Sequence, residues 1–111
     1  VNIEIYKENT LCIVRPAGRI DLVTLEDFEA TLLDLMETSS KSLLIDMGRV
    51  TFLAGAGLGV LLAIAMRLRR QAGHLGVFGL SGRVQEVFEL SGFVSVLDIH
   101  PDEVSARGEV R

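Results

Sequence analysis

The chain begins with apolar and polar residues in alternation and changes to a helical spacing before residue 30. Ile3 and Ile5 stand between polar neighbours, the period of two expected of a strand with one wet face. Residues 11–14 form a second apolar run, and Glu8-Asn9-Thr10 between the two suits a short turn. Together they predict a β-hairpin, with Pro16 and Gly18 ending its second strand. From Leu25 the spacing changes. Leu25, Phe28, Leu32, Leu35 and Met36 fall on one helical stripe. Thr24 stands where an N-cap belongs, with an acidic residue, Asp27, three places on. Glu26, Asp27, Glu29 and Asp34 populate the wet side or the first turns, and Thr38-Ser39-Ser40 closes the helix.

Residues 42–47 are apolar on both sides of the pleat, as in a central strand, and residues 48–55 read as a loop. A second helix is expected over 56–72, with Leu58, Leu61, Leu62, Ala65 and Leu68 on its buried face and Gly73 as its stop. Residues 74–78 are a further strand. Ser81 can cap a third helix that buries Val84, Val87 and Phe88 and ends at Gly92. Residues 94–97 are a short strand, and Pro101 suits the first turn of a last helix. The expected order is β-β-α-β-α-β-α-β-α. Strands alternating with helices after a hairpin predict an α/β fold with a largely parallel sheet. The 111 residues have the size of one domain, 1–111, without repeat or linker.

Composition narrows the function classes. Hydrophobic residues make up 49% and aromatics only 5%, so the core is expected to be aliphatic. A net charge of −4 argues against a general nucleic-acid binder. The single cysteine, Cys12, excludes an internal disulfide framework and suits a small buried side chain in a reducing compartment. The first residues lack the basic and apolar blocks of a signal peptide. The longest apolar run, 57–66, is too short to cross a bilayer. A cytoplasmic protein without membrane insertion is the expectation.

The glycine-rich stretch 52–62, FLAGAGLGVLL, raises the question of phosphate. No lysine follows Lys41, so the cation of a nucleotide phosphate loop is missing. Gly55 and Gly57 fit the first two places of the dinucleotide fingerprint, but Val60 occupies the third. His74 and His100 stand far apart without a ligand cluster, so no metal and no cofactor are expected. Ser39, Ser40, Ser42 and Ser81 read as turn or cap residues, and the Asp102-Glu103 pair reads as solvated. No acid, base and nucleophile set emerges, so the chain is not read as an enzyme. Arg67, Arg69 and Arg70 lie late in the second helix, where cations favour the negative end of the dipole; their alternative role is to face an acidic partner. The free N–H groups at the start of that helix would attract an anion. The glycines there let another backbone come close. Such a site is better suited to phosphate carried on a side chain than to a free nucleotide.

Residues 46–62, DMGRVTFLAGAGLGVLL, resemble the signature of STAS domains, the fold of bacterial anti-sigma factor antagonists. Val50, Phe52, Leu53, Gly57, Leu58, Gly59, Val60 and Leu61 match it. Gly18-Arg19-Ile20-Asp21 is similar to the family's Gly-x-Leu/Ile-Asp, and residues 84–93, VQEVFELSGF, to its late helix. The resemblance implies the STAS fold and a regulatory module that binds an anti-sigma factor which is also a serine kinase. It implies that phosphorylation of the second serine of an Asp-Ser-Ser-Gly motif, adding nearly two charges, breaks that complex. Here Ala54, Gly55 and Ala56 replace Asp-Ser-Ser, so Ala56 is a degenerate phosphosite. Thr51, Thr24 and Ser81 are the candidate substitute hydroxyls, and each has capping or turn formation as its simpler role. The docking face implied is Ala54, Gly55, Ala56, Gly57 and Leu58, with Arg19 and Asp21 beside it; Asp21 either pairs with a basic residue of the partner or only forms the turn, and Leu58 has packing inward as its alternative. The alternative is a cytosolic STAS subunit of a transport complex or a stress-signalling scaffold.

Overall fold

The computed structural model describes residues 2–38, 41–92 and 97–108. The chain runs β1 (Asn2–Glu8), β2 (Leu11–Ile20), α1 (Leu25–Thr38), β3 (Ser42–Asp46), β4 (Arg49–Leu53), α2 (Gly55–Arg70), β5 (His74–Phe78), α3 (Gly82–Ser91), β6 (Asp98–His100) and α4 (Glu103–Gly108). β1 and β2 form the expected hairpin, in register from Asn2↔Ala17 to Glu8↔Leu11. Asn9 in the turn takes φ 56°, a left-handed conformation that asparagine tolerates. All the other described strand pairs are parallel. The strand order is β1-β2-β3-β5-β6, with β4 also beside β2.

Two expectations change at β2. The strand does not end at Pro16 and Gly18 but runs on to Ile20. It pairs with β3 over residues 11–14 and with β4 over residues 17–20. Pro16 falls in the gap between those two partners, where its missing N–H breaks no bond to either. Gly18, at φ 99°, stands at a register shift rather than a strand end. The segment expected to be a loop, 48–55, contains β4, which continues the line of β3 along β2. Its burial follows no period of two, since only Val50 and Leu53 are buried, so alternation could not reveal it.

The helices follow the apolar stripes. α1 buries Phe28, Leu32, Leu35 and Met36. α2 buries Leu58, Leu61, Ala65 and Leu68 as expected, together with Val60 and Ile64, and Leu62 is half-buried. It stops at Arg70, two residues early, and Ala72 turns to φ 59°. Gly73 then has a steric duty, because a Cβ there would collide with the Lys41 carbonyl oxygen. α3 buries Val84 and Phe88 and ends at Gly92 with φ 79°; Ser81 precedes it without a side-chain cap bond. The strand expected at 94–97 lies, apart from the buried Leu97, outside the described residues, as do Ser39 and Ser40; β6 follows at Asp98–His100.

Side chains from α1, α2 and α3 pack with one face of the sheet in a largely aliphatic core that includes Cys12 and two aromatic residues, Phe28 and Phe88. α4 covers part of the other face, where Ala106 meets Ile13, Leu44 and Phe78. Pro101 precedes α4 instead of lying in its first turn, and Asp102 takes the cap role by accepting from the Ser105 N–H at 2.9 Å. Glu103 is not a solvated carboxylate. Arg15 donates to it at 2.9 Å and to Asp46 at 2.7 Å, and Arg107 donates to its other oxygen at 2.9 Å. Hydrogen bonds from Arg107 and Arg15 hold the Glu103 carboxyl below its ordinary value. This cluster fastens α4 to β2 and β3.

Candidate functional site

The glycine-rich junction is built by β4. That strand delivers the chain to Leu53, and the Ala54 N–H donates to the Ile20 carbonyl at 2.8 Å, which ties the entry of α2 to the end of β2. Ala54 occupies the N-cap position in an extended conformation and supplies no side-chain cap. The first-turn N–H groups therefore lack a side-chain acceptor. Gly55 and Ala56 are exposed and Ala54 is half-buried.

Gly57 and Leu58 leave the expected docking face. Leu58 is 2% exposed and belongs to the core. A Cβ on Gly57 would lie 2.6 Å from Leu53 Cδ1, so glycine here serves the packing of β4 under α2. The reason is helical geometry: residues 57 and 58 point to the sheet, whereas 55, 56 and 59 point away. Gly55 and Gly59 differ from Gly57, because an added Cβ at either would meet nothing within 4 Å. A mid-helix glycine costs about 1 kcal/mol relative to alanine, and at Gly59 no contact inside the chain requires it.

Asp21 and Arg19 come together beside this helix start. Asp21 Oδ1 accepts from the N–H groups of Val23 and Thr24 at 3.1 Å each. The Thr24 hydroxyl donates to the Arg19 carbonyl at 2.8 Å and accepts from the Asp21 N–H at 3.0 Å. The Asp21 carboxyl lies below its ordinary value, first through the Thr24 N–H. Asp21 thus builds the turn, and its Oδ2 stands 3.5 Å from Arg19 Nε. The Arg19 guanidinium lies over the Phe52 ring, 4.3 Å from its centroid. Of the substitute hydroxyls, Thr24 is engaged in the turn, while Thr51 and Ser81 are exposed.

The sequence patterns missed the apolar part of this surface. Leu22 and Val23 are 78% and 87% exposed in the Asp21 turn. Phe52 borders a groove of about 250 Å³ between β4 and α3, with Val87 and the 88% exposed Leu90 on its far side. The available signal was weak: Leu22 and Val23 are two apolar residues that precede the α1 stripe and belong to no element. Among the described residues, no group of three or more side chains could hold a metal, and no helix is long and apolar enough to cross a membrane.

The STAS domain model matches residues 2–106. This chain belongs to the STAS family. Its sequence is 34% identical over 82 residues to BtrV of Bordetella bronchiseptica, whose description as an anti-sigma factor antagonist is provisional; the match covers 74% of this chain and 71% of that one. The STAS fold here superposes on an anti-sigma factor antagonist from Mycobacterium paratuberculosis with a TM-score of 0.90 and 24% identity, over 99% and 93% of the two chains. It superposes on the unphosphorylated anti-sigma factor antagonist SpoIIAA with a TM-score of 0.81 and 20% identity, over 99% and 100%. SpoIIAA of Bacillus is also known in a phosphorylated form. The chain is thus an anti-sigma factor antagonist-like STAS domain, of the α/β fold expected.

Proposed function

We propose that this STAS domain is a regulatory protein-binding module that docks on an anti-sigma factor/serine kinase-like protein through the start of α2. The docking surface consists of Ala54, Gly55, Ala56 and Gly59 with the Arg19–Asp21 turn, and the exposed Leu22, Val23 and Phe52 supply its apolar area. The observation that carries the reading is Ala56: it lies exposed at an uncapped helix start and has no hydroxyl. The resemblance puts the phosphorylated serine at that position. A side chain without an acceptor oxygen keeps the surface uncharged, so a kinase cannot dismiss the partner there. Control then passes to abundance, to the partner, or to another surface of the domain.

The test is capture from native extract by the wild-type domain and by Ala56→Asp. The added charge should weaken capture of the partner, and unchanged capture would move the interface elsewhere. Incubation with the captured kinase and ATP should leave residues 54–58 unlabelled; label on Thr51 would show that the switch had moved. Recovery of transporter subunits in place of a kinase would favour the cytosolic transport-subunit alternative.

A further inference from the structure

α1 and α2 present opposite charges to solvent from the same side of the sheet. The outward face of α1 carries Glu26, Ala30, Asp34 and Glu37, and the helix contains no basic residue. The outward face of α2 carries Gly59, Ala63, Met66, Arg67 and Arg70, and the helix contains no acidic residue. Among the described residues, Glu26, Asp34, Glu37, Arg67 and Arg70 have no ion-pair partner. Glu37 is also poorly placed within its own helix. It lies in the last turn of α1, against the negative end of the dipole, where no cation offsets it.

The topology fixes how these charges are arrayed. Each helix crosses between parallel strands, so both run against the sheet direction and parallel to one another. They also end at the same edge. Ser42, after α1, is in register with His74, after α2, and the His74 N–H donates to the Lys41 carbonyl at 2.8 Å. Asp34 and Glu37 therefore stand level with Arg67 and Arg70.

We propose that these two helices form a homodimer interface. A two-fold axis parallel to the helices sets α1 of one copy on α2 of the other, and the reverse. Asp34 and Glu37 then face the partner's Arg67 and the partner's Arg70, so the acidic C-terminal end of α1 meets the basic C-terminal end of α2. A two-fold axis across the helices would instead lay acid on acid, which like-charge repulsion disfavours. Ala30, Gly59 and Ala63 carry too little side chain to hold the helices apart. Ala56 and Gly59 share the outward surface of α2, so the dimer would exclude a docked partner and provide control without phosphate. That consequence rests on the docking reading above; the self-association does not.

Sedimentation equilibrium over a range of protein and salt concentrations tests the dimer. The wild-type chain should self-associate at low salt and dissociate as salt screens the facing charges. Arg67→Glu/Arg70→Glu and Asp34→Arg/Glu37→Arg should each weaken self-association by roughly tenfold or more. Mixed in equal amounts, the two variants should recover association, because each half of the interface regains opposite charges. Circular dichroism should show both variants folded, since all four positions are exposed. A wild-type chain that stays monomeric at low salt, or charge variants that remain apart when mixed, would overturn the proposal.

Discussion

Arg19 and Phe52 are paired twice: they are register partners across β2 and β4, and the Arg19 guanidinium covers the Phe52 ring at 4.3 Å. The contact braces the strand that leads into α2, and Phe52 also lines the groove against α3. Arg19→Ala should lower stability by about 0.5–1 kcal/mol, read from urea midpoints. Arg19→Lys keeps the charge and loses the flat stacking surface, so it should fall between. Equal stability of all three proteins would show that the stack contributes nothing.

Ala56→Asp should separate docking from folding. A carboxylate in the first turn of α2 meets the positive end of the helix dipole and should raise stability by about 0.3–1 kcal/mol at low salt. Partner capture should fall in the same protein. A loss of stability would mean that the local surface is not open as described.

Leu58 and Gly59 are sequence neighbours with opposite expected behaviour. Leu58→Ala empties part of the core and should cost about 2–5 kcal/mol, so any loss of capture would follow unfolding. Gly59→Ala adds a methyl group into open space and should raise stability by about 1 kcal/mol. If Gly59 is there for the approach of another chain, capture or self-association should fall while the thermal midpoint rises.

Acid should loosen the attachment of α4. The Glu103 carboxyl lies below its ordinary 4.5 because Arg107 and Arg15 bond its charged form. A depressed folded value means the stabilisation is complete above the unfolded value and is lost as pH falls through the folded one. Urea midpoints should therefore decline as pH drops below about 4.5. Glu103→Gln should start lower at pH 7 and decline less steeply. Parallel curves for the two proteins would remove Glu103 from the account.

Arg15→Ala should be costly for a related reason. It leaves Asp46 and Glu103 partly buried without their shared donor, and hydrogen bonds to charged groups are worth about 1.5–3 kcal/mol. Denaturant unfolding measures the loss.

Local rules accounted for the elements that repeat a local pattern. The hairpin, the buried faces of α1 and α2, the central strand β3 and the strand β5 were legible because periods of 2 and 3.6 depend on near neighbours in the chain. The missing hydroxyl at Ala56 was equally plain, since it is a matter of residue identity. Tertiary structure alone decided which strand lies beside β2. It carried that strand past Pro16, turned an expected loop into β4, and gave Pro16 a gap between two partners. It also set Arg15 between Asp46 and Glu103. Each of those outcomes depends on what a distant segment brings into contact, and the spacing of residues along the chain does not encode that partner.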